Sequence, residues 1–237
     1  MKAMILAAGL GTRFKPWTEK HPKALAVVNG KSLLQRNILY LQRAGIYDVV
    51  VNVHHFAGQI IEAININNGW GSSITISDET NEVLETGGGL KKASPLLNDD
   101  SFVLMNVDIL TDLNLSDMIN FHKQASPLAT LATTNRTTSR YFVFDNNDNL
   151  SGWINTKTGE EKIMRPSAEK NRKAFSGIHI INPKIFGLIK QEGKFSVVDV
   201  YLSLAANEVI RSFDHSGSAF IDVGKPEAVA TAEMLFH

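Results

Sequence analysis

The chain has 237 residues, 43% hydrophobic and 20% charged, with 24 Lys and Arg against 24 Asp and Glu. That length suits one large domain or two small ones, and the balanced charge leaves no field to hold nucleic acid or an anionic membrane. Cysteine is absent, which excludes disulfides, thiolate zinc sites and thiol nucleophiles and fits a reducing compartment. The first strand is predicted from Lys2 to Ala7. Its apolar run imitates a short signal peptide, but it ends at once in a Gly-Arg-Lys segment with no clear cleavage context. No run approaches the ~18 apolar residues of a membrane span, so a cytoplasmic protein with no membrane partner is expected.

A helix is predicted from Leu33 to Ala44, with Ser32 and Gln35 as a capping box and Gly45 closing it. Asp48 to Val53 is a β-branched strand, Ala57 to Asn67 a helix and Ser73 to Ser77 a short alternating strand. Thr86 to Leu97 is a helix led by glycines. Ser101 to Asn106 is a strand that ends in Asn106-Val107-Asp108, and Ser116 to Gln124 is a helix. This alternation predicts an α/β fold with a mainly parallel sheet covered on both faces. Ligands then sit outside the carboxyl ends of the strands, so Gly9 and Asp108 share one crevice.

The pattern changes after Pro127. Thr130 to Asn135, Arg140 to Asp145, Leu150 to Asn155 and Phe175 to Ile181 read as strands. Lys157 to Lys173 is polar and charged, and reads as a loop, either a solvated excursion or a lid. Helices return at Pro183 to Lys190, Val197 to Asn207 and Pro226 to Phe236, with a strand at Ser218 to Asp222. The whole chain is expected to be one domain. Residues 1–125 would form its nucleotide-binding half, and residues 126–237 a β-rich extension of the same sheet for a second substrate.

The first strand empties into Gly9-Leu10-Gly11-Thr12-Arg13. On its own Gly-x-Gly is a plain tight turn. It is not a P-loop, which needs a Gly-Lys-Ser/Thr ending, and Phe14 stands where a dinucleotide loop has its third glycine. Arg13, Pro16, Thr18 and Pro22-Lys23 turn the balance toward a loop that cradles phosphate on backbone N–H groups. Lys23 enters an apolar stretch, Ala24 to Val28, where a fixed point charge could meet a phosphoryl oxygen. Glu85-Thr86-Gly87-Gly88-Gly89 places glycines at a helix start at about 1 kcal/mol each relative to alanine. Close approach of a flat ligand would justify them. Asp108 and Asp222 each end a strand. Singly they read as turn or cap residues; as a pair in one crevice they suit Mg2+, which takes one or two carboxylates and substrate phosphates. The seven histidines show no metal-ligand spacing.

These residues resemble the sugar-1-phosphate nucleotidyltransferases over nearly the whole chain. Leu6-Ala-Ala-Gly-x-Gly-Thr-Arg13 with Pro22-Lys23 looks like the family signature, and Asn106-x-Asp108 looks like its first metal aspartate. Phe175-Ser176-Gly177-Ile178 resembles its sugar-side segment, and Ile221-Asp222-Val223-Gly224 the strand with its second metal aspartate. Leu84 to Gly89 is most similar to the N-acetylmuramate 1-phosphate uridylyltransferase branch; mannose and heptose 1-phosphate guanylyltransferases are similar but vary more there. There are two departures: Ala24 replaces the second proline of Pro-Lys-Pro-Leu, and Val107 adds bulk where the family carries glycine. The resemblance implies a mixed sheet of the nucleotide-diphospho-sugar transferase fold, with nucleoside triphosphate and sugar 1-phosphate as partners and Mg2+ as cofactor. It implies Arg13 and Lys23 as catalytic groups, and Ala8, Gly9, Gly11, Thr12, Thr86, Gly87, Gly88 and Asn106 around the nucleotide. It places Glu85, Ser176 and Gly177 toward the sugar phosphate. Arg140 joins them as a stand-in for a phosphate-binding lysine that no motif locates. A regulatory homologue or a phosphocholine-type cytidylyltransferase remains the alternative, and a homo-oligomer is compatible with this reading.

Overall fold

The computed structural model describes residues 1–166 and 170–237. Strand β1, Ala3–Leu6, is buried along its whole length. Ala3 and Ile5 face one core cluster and Met4 and Leu6 the other. An apolar residue at every position is what a strand covered on both faces requires. After β1 a short hairpin, β2 (Val27–Val28) and β3 (Lys31–Ser32), leads into helix α1, Leu33–Arg43. Ser32 caps α1 by accepting from the Gln35 N–H, and Gly45 follows at φ +74°. Strand β4 (Asp48–Val53), helix α2 (Ala57–Ile66) and strand β5 (Ser73–Asp78) come next.

The single helix expected over Thr86 to Leu97 is two, α3 (Glu85–Lys92) and α4 (Ser94–Leu97). Pro95 supplies the break, since its ring cannot continue a helix without losing a hydrogen bond. Strand β6 is Phe102–Asn106, followed by a three-residue strand β7, Ile109–Thr111, and by helix α5, Leu115–Ala125. In the second half β8 is Ala129–Thr134, β9 Arg140–Phe144 and β10 Leu150–Asn155. The segment expected as a loop carries a further strand, β11 (Glu160–Ile163), and the start of a long one, β12 (Asn171–Ile181). The rest of that expectation, residues 167–169, lies outside the described residues. The helix expected from Pro183 is a single 3-10 turn, Pro183–Gly187. Helix α6 (Val197–Leu204), strand β13 (Ile210–Asp214), strand β14 (Phe220–Asp222) and helix α7 (Ala228–Leu235) complete the chain.

Strands β6, β1, β4 and β5 lie side by side and parallel. The long β12 runs antiparallel to β6 and joins this half to the rest. Its first residues pair with β9, and through it with β10 and β11, while its later residues pair with β8. The register shifts between Phe175 and His179, at Gly177 with φ +73°. The mixed sheet flanked by helices is the architecture expected from the alternation of elements. Separately, β14 pairs antiparallel with β7, with Asp222 opposite Ile109. No helix among the described residues is long and apolar enough to cross a membrane.

Candidate active site

The glycine turn is fixed from below. Asn52 on β4 is 2% exposed, and its Oδ1 accepts from the N–H groups of Ala7 (2.7 Å) and Ala8 (3.3 Å). Its Nδ2 donates to Glu79 Oε1 at 2.8 Å. The buried N–H groups that leave β1 are therefore satisfied by one side chain, as buried backbone requires. Gly9 meets no atom in the place of a Cβ and stands exposed to the cleft. Gly11 has φ +59°, and a Cβ on it would stand 2.7 Å from Thr18 Cγ2 and 3.3 Å from Lys23 Cβ. Thr18 Oγ1 donates to the Gly11 carbonyl at 2.9 Å. Only glycine lets the turn rest against the segment that carries Lys23.

Lys23 pairs with Asp108 Oδ2, both side chains about 15% exposed or less. Asp108 follows β6, and the Val223 N–H donates to its carbonyl at 2.8 Å. The β7–β14 ladder thus carries Asp222 to Asp108. Burial, then the nearby Asp108 carboxylate, holds the Asp222 carboxyl above the usual range, against the pull of Lys23, Arg13 and Arg136. A Cβ on Gly224 would lie 2.7 Å from Asp222 Oδ1 and 3.1 Å from Arg13 Nη2. Arg13, Lys23, Asp108 and Asp222 therefore form one cluster. Two neighbouring carboxylates beside a close approach that only glycine permits suit a divalent cation. Groups of three or more His, Asp or Glu with metal-holding geometry are absent among the described residues. Asp108 and Asp222 are thus two carboxylates that leave the other positions around a cation to phosphate and water.

A cleft of about 480 Å³ opens above this cluster. Ala8, Gly9, Gly11, Thr12 and Lys23 line one side, Asn106, Val107 and Asp108 the floor, and Glu85, Thr86, Lys194 and Ser196 the far wall. A second hollow of about 350 Å³ is lined by Arg13, Asp222, Gly224 and Lys225. Val107, expected to crowd the sugar, is 4% exposed and packs into the core cluster that includes α1, so most of its bulk is taken up inward.

The glycines of α3 have another occupation than a flat ligand. The N–H groups of Gly87 and Gly88 both donate to the Phe195 carbonyl, at 2.9 and 3.2 Å. A Cβ on Gly87 would lie 2.5 Å from the Phe195 ring, one on Gly88 2.3 Å from the Gly193 oxygen, and one on Gly89 2.5 Å from Glu79 Oε1. Neither Gly87 nor Gly88 is among the residues lining the cleft. Thr86 does line it, and its Oγ1 accepts from the Val197 N–H at 3.0 Å. Glu85 sits 3.5 Å from Lys194 across the rim.

On the sugar side, Ser176 is 1% exposed, and its hydroxyl is 2.8 Å from His215 Nε2. Gly177 packs under Asn106, where a Cβ would lie 2.8 Å from Nδ2. Arg140 is exposed at the outer end of β9, opposite Asn155 and away from the cleft lining. Four residues escaped the sequence reading. Asn52 was visible as a polar residue inside a β-branched strand, whereas Glu79, Arg136 and Lys194 carry no local signal.

The family model for nucleotidyl transferases matches residues 2–237. The chain belongs to the nucleotidyl transferase family. Among relatives of this family member, a mannose-1-phosphate guanyltransferase of Yarrowia lipolytica is 32% identical over 100% of this chain and 64% of its own. The chain thus spans less than two thirds of that relative's length. An N-acetylmuramate alpha-1-phosphate uridylyltransferase of Neisseria meningitidis is 30% identical over 94% of this chain and 93% of its own. The solved structure of HddC from Yersinia pseudotuberculosis in complex with GMP-PN matches with a TM-score of 0.77 at 23% identity, covering 100% of this chain and 99% of that one. That likeness identifies the shared fold.

Proposed function

We propose that this chain joins a nucleoside triphosphate to a sugar 1-phosphate, forming a nucleotide sugar and releasing pyrophosphate, with UTP and N-acetylmuramate 1-phosphate as its substrates. The observation that carries this reading is the meeting of Lys23 with Asp108 at the mouth of the glycine turn, with Asp222 and Arg13 alongside. An oxygen of the sugar phosphate attacks the α-phosphorus as the bond to the β-phosphate oxygen breaks, and the electron pair leaves with pyrophosphate. A phosphate monoester dianion is already nucleophilic, so the site needs no strong general base. Positioning and charge neutralisation are the work to be done. Gly9, Gly11 and Thr12 supply backbone N–H groups for the triphosphate. Arg13 holds its tail, and Lys23 steadies charge on the α-phosphoryl group and the leaving oxygen. Asp108 and Asp222 would hold Mg2+, which supplies charge neutralisation between the phosphates.

The 32% identity of the whole chain to part of the Yarrowia guanyltransferase favours one second reading, GTP with mannose 1-phosphate at the same site. Pyrophosphate release measured across the common nucleoside triphosphates and several sugar 1-phosphates separates them. The fastest pair is expected to be UTP with N-acetylmuramate 1-phosphate; GTP with mannose 1-phosphate would replace it. Asp108→Asn and Asp222→Asn are each expected to lower turnover by about 100-fold or more while the fold persists. Near-normal release from either variant would sink the two-aspartate assignment.

A further inference from the structure

We infer that Arg136 is the anion-binding residue of the sugar half, seating an oxyanion of the sugar substrate near Asp222. The inference rests on the reaction proposed above and assigns a residue to the partner that no motif located. Arg136 stands two residues past the end of β8. Its Nη2 donates to the Phe175 carbonyl at 2.7 Å, and its guanidinium lies 5.0 Å from the centroid of the Phe220 ring. Phe175 immediately precedes Ser176-Gly177, and Phe220 stands two residues before Asp222 on β14. Two strands that meet only in the folded chain thus orient one guanidinium.

That hold uses one N–H and one face of the group, and leaves most of its donors to a ligand. Asp222 acts on Arg136 electrostatically, with no direct ion pair between them among the described residues. Arg13 draws on the same carboxylate from the nucleotide side. With Arg13 and Lys23 committed to the triphosphate, the sugar phosphate brings further negative charge that needs its own cation. The Phe220 ring shields one face of the guanidinium from water, which strengthens its pairing with an anion. A planar fork also matches phosphate or carboxylate oxygens two at a time. Arg140 has none of these supports.

The shared chemistry is an oxyanion, supplied either by the 1-phosphate or by a carboxylate elsewhere on the sugar. Arg136→Met keeps apolar cover over Phe220 and removes the charge; Arg136→Lys keeps the charge and loses the fork. Expected for Arg136→Met is a KM for sugar 1-phosphate raised about tenfold or more, with the KM for the nucleoside triphosphate and the thermal midpoint unchanged. Arg136→Lys should recover part of it. If the phosphate is seated, mannose 1-phosphate and N-acetylmuramate 1-phosphate lose equally; if the carboxylate is seated, only the second loses. Unchanged KM for both, or an equal rise for the triphosphate, overturns the inference. Titration calorimetry of the same two sugar phosphates without nucleotide keeps this separate from the reaction itself. Wild-type binding that Arg136→Met weakens upholds the inference even if pyrophosphate release fails. Binding that Arg136→Met leaves intact, or no binding to wild type, refutes it.

Discussion

At the residue scale the site depends on residues that hold its backbone in place. Asn52, almost wholly buried, satisfies two backbone N–H groups and one carboxyl at once. Asn52→Ala orphans all three, at a cost on the order of 2–4 kcal/mol. Asn52→Asp keeps an acceptor for Ala7 and Ala8 but loses the donor to Glu79, which burial already holds above the usual carboxylate range. Urea unfolding of the two variants should show both destabilised. An Asn52→Ala midpoint equal to wild type would mean the turn is held otherwise. Gly177 is a second such residue. A methyl group there must adopt φ +73° and press on the Asn106 amide, two residues before Asp108. Gly177→Ala is expected to lower turnover on the order of 10–100-fold through misplacement of that floor. A stable variant with wild-type kinetics would separate the bulge from the site.

At the element scale, legibility followed length and burial. β1, β4 and α1 were readable because each carries its own pattern: an apolar run, a β-branched run, an amphipathic stripe behind a serine cap. The glycine turn and Asp108 followed from β1 and β6. β7, β13 and β11 escaped for different reasons. β7 has too few residues to show a period, β13 mixes Arg211, Ser212 and Asp214 with only two apolar residues, and β11 is an exposed edge of charged residues. Missing β7 hid the ladder that brings Asp222 to Asp108, and Arg136 was hidden because its neighbours come from β12 and β14. The glycines of α3 show how an element misleads when read alone. Propensity by itself says that Gly87→Ala and Gly88→Ala each stabilise the helix by about 1 kcal/mol. Packing says the reverse, because the new methyl groups overlap the Phe195 ring and the Gly193 carbonyl, an overpacking of about 1–3 kcal/mol. Thermal melts decide by sign: both variants are expected to be destabilised, and a rise in the midpoint would restore the ligand-facing explanation.

At the scale of the whole molecule, the fold buries three histidines, of which His122 and His179 are pushed furthest down. His122 on α5 is 2% exposed and pairs with Thr130 Oγ1 (2.9 Å) and, more weakly, Ser101 Oγ (3.3 Å). Burial pushes it down to about 4, against a small pull from Asp100. His179 on β12 is 1% exposed, pairs with the Tyr201 hydroxyl at 2.7 Å, and is pushed by burial down to about 3. In the unfolded chain both return to the ordinary value of about 6.5. Above that value neither state is protonated, and the pair contributes no pH dependence. Below it the unfolded chain binds protons that the folded one refuses, so stability falls as the pH falls, until the folded values are reached. The loss is roughly 2 kcal/mol for each histidine by about pH 5, large beside a typical stability of 5–15 kcal/mol. Glu79, raised by burial, works in the opposite sense, so differences between variants are the safer reading because its share cancels. Urea unfolding at about pH 7.5 and about pH 5 should show wild type losing about 2 kcal/mol more than either His122→Gln or His179→Gln, and about 4 kcal/mol more than the double variant, which keeps the shares of His215 and Glu79. A double variant as acid-sensitive as wild type would place the sensitivity in other groups, and would mean that these two histidines take up protons before the chain unfolds.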